Sequence, residues 1–140
     1  MTPKEECEIL LNSILPAAET MLEKNEGFFP FGAVLKGDDT VAMTSVFDGK
    51  EFPDSEEAIR DLIASHQKSA QQGEIKASGI VWNGAVMAEG KTVDAIIVSL
   101  EHETGYSVAV GKTYKIGMFK KVKLGNLFAQ PGNHDVFGSL

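Results

Sequence analysis

Two segments with the composition of β-strands, residues 94–102 and 106–116, are separated by only Glu103, Thr104 and Gly105. In the second segment an apolar or aromatic residue recurs at every second position from 106 to 110, as a strand with one covered face requires. A connection this short joins antiparallel neighbours, because parallel strands need a crossover of a dozen or more residues. The pair therefore predicts a β-hairpin, and the rest of the chain has to be arranged around an antiparallel sheet.

Two helices are predicted from their start signals and apolar spacing. Thr2, Pro3 and Glu5 form a capping box with proline in the first turn, and Asp54 or Ser55 caps the second helix ahead of two glutamates. Pro16 lies inside the first helical pattern, so we expect a kink or break there, because proline removes a hydrogen bond and clashes with the preceding turn. Gly27 is the expected stop of the second helical piece.

Three further strands complete the predicted order α-β-β-α-β-β-β. They lie near residues 28–35, 40–47 and 76–87. We therefore predict an α+β fold with two helices on one face of a roughly five-stranded antiparallel sheet. The order is similar to that of profilin-like and roadblock-like domains, an analogy of fold that carries no activity. Residues 1–123 form the predicted domain, and the turn-rich residues 124–140 form a tail that docks on this domain or on a neighbour.

The chain of 140 residues has a formal net charge of −7, which argues against nucleic acid as a partner, because phosphate binding needs clustered basic residues. Its basic cluster, Lys120, Lys121 and Lys123, is interpreted as a solvated strand or loop face, and a membrane partner is disfavoured for the same reason. The sequence shows no membrane-spanning stretch and no signal peptide, and Cys7 is its only cysteine. We therefore expect a cytoplasmic protein.

No catalytic, cofactor-binding or metal-binding residue is assigned from the sequence. Cys7 lies on the apolar side of the first helix and is interpreted as a small hydrophobic residue rather than a nucleophile. The best local cluster of metal ligands is Glu101, His102 and Glu103, but alternation along a strand sends neighbouring side chains to opposite faces. His66 follows apolar residues along a helix face and is interpreted as a hydrogen-bonded residue at the core boundary.

Two sets of aromatic residues are candidates for binding. Phe28, Phe29 and Phe31 form a candidate interaction patch, although burial of all three in the core is the favoured interpretation. If the helices and the sheet enclose a pocket, its candidate lining residues are Trp82, Tyr106 and Tyr114.

The segment Phe29-Pro30-Phe31-Gly32-Ala33 after the first helix, together with Leu100-Glu101-His102-Glu103-Thr104-Gly105 at the late hairpin, resembles a pattern in small uncharacterised bacterial proteins. The resemblance implies a bacterial, cytoplasmic, single-domain protein. It covers two short segments and transfers no functional residue.

Three functions remain open on the sequence. The leading hypothesis is a non-enzymatic protein-interaction or assembly domain, including a homodimer built through an edge of the sheet. The alternatives are a small-molecule-binding protein or unrecognised enzyme with a pocket between helices and sheet, and an acidic immunity-type or inhibitor protein that meets a basic partner.

Overall fold

A computed structural model describes residues 1–46 and 54–138, apart from the side chain of Lys120. The part of the predicted second strand beyond residue 46 lies outside the described residues. Two helices and six strands form the described fold, with a short 3₁₀ turn at Met118–Lys120 before the last strand. They are α1 (Pro3–Asn25), β1 (Phe31–Lys36), β2 (Val41–Thr44), α2 (Ser55–Gln71), β3 (Ile75–Ala88), β4 (Lys91–His102), β5 (Ser107–Ile116) and β6 (Val122–Pro131). The α+β class and the antiparallel sheet are confirmed.

In the described residues the sheet has six strands in the order β2-β1-β3-β4-β5-β6, one more than predicted. The additional strand, β6, pairs antiparallel with β5 along most of its length, from Val122 opposite Ile116 to Pro131 opposite Val108. The sequence pattern did not predict this strand, because Gly125, Asn126 and Pro131 are residue types that are disfavoured in strand interiors. The boundary drawn between residues 123 and 124 therefore falls inside a strand.

The two helices pack on opposite faces of the sheet, so the prediction that both lie on one face is wrong. A Cβ atom added to Gly79 would lie 2.6 Å from Ile14 of α1, whereas one added to Gly32 would lie 3.0 Å from His66 of α2. Gly79 pairs with Ala33, so these two residues share one face of the sheet. Gly32 is the residue before Ala33 on β1, so it faces the opposite side. The physical reason lies in β1, whose first five residues are all buried. Since successive residues of a strand point to opposite faces, both faces of β1 have to be covered by packed elements.

Helix α1 runs without a break from Pro3 to Asn25, so the break that was one of the two expectations at Pro16 is absent. Pro16 and Asn12, whose carbonyl loses its usual N–H partner, are both exposed, so water can hydrate that carbonyl. The capping box of Thr2 and Glu5 is present as predicted, and Glu26 rather than Gly27 takes the left-handed capping conformation.

The main hydrophobic core lies between α1 and the sheet. Helix α1 supplies Leu10, Ile14 and Leu22, and β3 and β4 supply residues such as Val81 and Val98. Close approach of α1 depends on Gly79, where a side chain would overlap Ile14 and press on Leu100. No helix in the described part of the chain is long and apolar enough to cross a membrane.

Gly79→Ala is expected to lower the free energy of unfolding by about 1–3 kcal/mol, because the added methyl group overpacks the contact between α1 and β3. Gly37→Ala is the matched control, since nothing lies within 4 Å of a Cβ built at Gly37. Urea unfolding of both variants checks the expectation. Equal midpoints for the two variants would contradict it.

Candidate functional site

A cleft of about 240 Å³ lies on the α2 face of the sheet, between α2, β3, β4 and the segment 132–138. We refer to it as the α2 cleft. Its lining residues are Ile59, Ile63, Ser78, Ile80, Trp82, Ser99, Glu101, Asn133, Asp135 and Val136. One side is apolar, formed by isoleucines of α2 and β3, and the other is polar. Residues 132–138 form part of its wall, so the cleft is complete only when this segment is in place.

Glu101 holds the segment 132–138 against the sheet. Its carboxylate is buried and accepts hydrogen bonds from the backbone N–H of Val136, at 3.0 Å, and of Phe137. Two further bonds add to this attachment: the Gln67 side-chain amide donates to the Asp135 carbonyl, and the Ser107 hydroxyl donates to the Asn133 carbonyl, each at 2.6 Å. The segment is therefore docked through hydrogen bonds to its backbone.

His66 lies behind the cleft and joins α2 to two strands. Its Nδ1 is 2.6 Å from the hydroxyl of Ser78 on β3, and its Nε2 is 2.8 Å from the hydroxyl of Thr44 on β2. Burial lowers the pKa of His66 from 6.5 to about 4, because desolvation disfavours the charged ring. His66 is therefore neutral at physiological pH. Its ring is hydrogen-bonded as the sequence predicted, but the residue is fully buried rather than at the core boundary.

The strand sends Glu101 and His102 to opposite faces, as alternation predicts. His102 is buried against α1, where its Nε2 is 3.2 Å from the Glu6 carboxylate. Glu6 also pairs with Lys76 at 3.3 Å. Glu103 is exposed at the turn. Among the residues that the structure describes, no group of three or more His, Cys, Asp or Glu side chains is placed to hold a metal ion.

Cys7 is packed in the core under α1. Its pKa is raised to about 12, chiefly by burial and secondarily by the negative charge of Glu6. The nucleophilic thiolate is therefore essentially unpopulated at neutral pH.

The three candidate pocket residues do not line a common pocket. Trp82 lines the α2 cleft, whereas Tyr106 lines a hollow of about 260 Å³ beside Cys7, and Tyr114 lines one of about 210 Å³ near Leu124. Trp82 is separated from Tyr114 because β3 turns Trp82 toward the α2 face, whereas Tyr114 belongs to the core under α1. The two tyrosines are eight residues apart, or about 26 Å along an extended chain.

The phenylalanine cluster does not form an exposed patch. Phe31 is buried in the core, Phe28 packs edge-on against it with ring centroids 6.0 Å apart, and Phe29 is half-buried.

Exposed apolar side chains are concentrated instead on the hairpin of β5 and β6, which sequence reasoning did not single out. Five of the nine large apolar residues that are exposed in the described chain lie between residues 116 and 127. They are Ile116, Met118, Phe119, Leu124 and Leu127. The sequence does contain a signal for this surface, because Met118 and Phe119 are adjacent large apolar residues flanked by lysines. The interpretation of the basic cluster as a solvated face took account of the lysines alone.

Phe119 at the tip of this hairpin is 93% exposed and has a φ of 61°. The left-handed conformation costs about 1–2 kcal/mol for a residue with a side chain. Phe119 thus has an unfavourable backbone conformation and buries little apolar surface within the monomer.

Lowering the pH is expected to destabilise the protein through His66. The ring is neutral in the fold down to a pH of about 4 but takes up a proton near pH 6.5 when unfolded. The unfolded state therefore binds more protons between these values, and stability falls as the pH falls. The expected loss from this residue is about 2 kcal/mol between pH 7.5 and 5.

Urea unfolding at several pH values tests this effect. His66→Gln is expected to reduce the loss of stability on acidification, whereas His134→Gln, which replaces an exposed histidine, leaves it unchanged. The same pH dependence in both variants would contradict the assignment to His66.

Comparisons with protein-family models, with curated proteins and with solved structures found no match to this chain.

Proposed function

We propose that this protein is a non-enzymatic assembly domain that forms a homodimer through the hairpin of β5 and β6. The observation that carries the proposal is the concentration of exposed apolar side chains on this hairpin, from Ile116 to Leu127. Clustered exposed apolar surface on a small protein is typical of an interaction site.

One face of the hairpin supplies a continuous apolar strip. Leu124 pairs with Tyr114, Leu127 pairs with Lys112, and Ile116 lies two residues beyond Tyr114 on the same strand. Paired residues share a face and alternate residues along a strand return to it, so Ile116, Leu124 and Leu127 project from the same side. This is the α1 side, because the partner of Leu127, Lys112, reaches Glu19 of α1 at 2.9 Å. The strip lies beside α1 rather than beneath it.

Charge favours a second copy of the chain as the partner. The nine residues 115–123 contain four lysines and no acidic residue, whereas the rest of the chain has nine basic and 20 acidic residues. Two hairpins packed antiparallel about a twofold axis would bury both apolar strips and bring each lysine-rich tip toward the acidic body of the other copy.

The edge of β6 alone is a weaker basis for assembly. Its pairing with β5 shifts register between Lys112 and Tyr114, which are opposite Leu127 and Leu124, so β6 carries an extra residue there. Such bulges, together with Lys123 and Pro131, are devices that discourage the pairing of edge strands. The other edge strand, β2, has only four residues. The proposal therefore places the dimer contact on the apolar face and tip of the hairpin.

Light scattering behind a sizing column is expected to give twice the chain mass of 15.1 kDa for the wild-type protein. Phe119→Ser is expected to weaken the dimer roughly tenfold or more, because a buried phenylalanine contributes about 1.5–3 kcal/mol. Combining it with Leu127→Ser is expected to give a monomer. High salt is expected to weaken the wild-type dimer by screening the lysines.

Met43→Ser is the matched control for Met118→Ser. Met43 is 52% exposed on β2, away from the hairpin, and Met118 is 80% exposed at its tip. Only the change at Met118 is expected to weaken the dimer. A wild-type protein that is monomeric at every concentration, or a dimer that survives both hairpin substitutions, would refute the proposal.

A further inference from the structure

We propose that the α2 cleft binds a small organic cation, an alkylammonium or arylalkylammonium ion with N–H donors. This site is independent of the dimer proposed above, because the cleft and the apolar strip lie on opposite faces of the sheet. Shape, charge and an aromatic wall each support the inference.

The shape of the cleft suits a short apolar body with a polar end. Ile59 and Ile63 of α2 face Ile80 of β3 across it, and Ser99 and Glu101 provide the polar side. Its volume of about 240 Å³ is below the range of about 300–1,000 Å³ that is typical of pockets for drug-sized ligands. The ligand is therefore smaller than a drug-sized molecule.

The charge of the cleft excludes anions. Glu101 and Asp135 are the charged residues among its described lining, and both are acidic. Glu101 is only 3% exposed, and in the described part of the chain no basic side chain forms an ion pair with it. Its two backbone N–H donors leave further lone pairs on the carboxylate oxygens. A buried carboxylate without a cationic partner is costly, and an ammonium group in the cleft would offset that cost.

The groups behind the cleft add no positive charge. Ser78, which lines it, is hydrogen-bonded to His66. Because burial holds the pKa of His66 at about 4, this ring is neutral at pH 7. The negative charge of Glu101 is therefore not balanced from this side.

Trp82 supplies an aromatic wall. Its side chain is half-buried and lines the same cleft as Glu101. Indole is the aromatic group that attracts cations most strongly, by about 0.5–2 kcal/mol depending on desolvation. Trp82 therefore favours an ammonium ion over a neutral ligand of the same shape.

The test is a titration of the full chain at pH 7 with three probes of similar shape. They are isoamylammonium, isoamyl alcohol and isovalerate. Trp82 is the only tryptophan in the chain, so its fluorescence reports on the cleft, and calorimetry gives the affinities. Isoamylammonium is expected to bind at least about tenfold more tightly than the alcohol, a difference of 1.4 kcal/mol, and isovalerate is expected not to bind.

Variants distinguish binding of isoamylammonium in the cleft from non-specific attraction of a cation to an acidic protein. Glu101→Gln is expected to abolish the preference for isoamylammonium over the alcohol, whereas Glu103→Gln, at an exposed glutamate of the next turn, preserves it. Glu101 also accepts the hydrogen bonds that hold residues 136–137, so Glu101→Gln changes the wall of the cleft as well as its charge. Asp135→Asn is therefore measured as a second variant. That change leaves the bonds to Glu101 intact and is expected to weaken isoamylammonium binding a few-fold.

Three results would overturn the inference. They are equal affinity for isoamylammonium and the alcohol, tighter binding of isovalerate, and no binding of any probe at about 10 mM, a concentration that saturates a site with millimolar Kd. The mass measurements of the hairpin variants do not depend on these titrations, so failure of either proposal leaves the other standing.

Discussion

Strand β3 buries both faces of its residues 77–81, and the positions of the other elements follow from that constraint. Its partners β1 and β4 satisfy its backbone hydrogen bonds, while its side chains need an apolar layer above and below. Helix α1 covers one side and α2 the other. The α2 cleft results from this arrangement, because α2 packs chiefly on β1 and β3 and leaves the neighbouring strand to be covered by residues 132–138.

Local signals in the sequence predicted most of the elements. The three-residue turn at 103–105, the capping box at Thr2 and the cap at Asp54 act through neighbouring residues, so they could be recognised without the fold. The face on which each helix packs was not predictable in this way. The run from Phe31 to Leu35 is apolar at every position, so it does not show the alternation that would have distinguished a strand covered on one face from a strand covered on both.

The candidate sites depend on residues that are distant in sequence. The aromatic character of Trp82 marks it as a candidate pocket residue, but its neighbours in the cleft come from α2, from β4 and from residues 133–136. Glu101 meets the backbone of Val136 across 35 positions, and no local pattern predicts that contact. The lysines of the hairpin form a cluster in the sequence itself. Their relation to Phe119 became visible only once β6 was known to pair with β5, which places Phe119 at the tip of a hairpin.

Strand β6 and residues 132–138 complete both the sheet edge and the wall of the α2 cleft, so their detachment would open the protein in two places at once. With this segment detached, β5 is an unpaired edge, Gly111 lacks the cover of Phe128, and Glu101 has neither of its backbone donors. In that state, pairing of β5 with a strand of another chain competes with the return of its own β6.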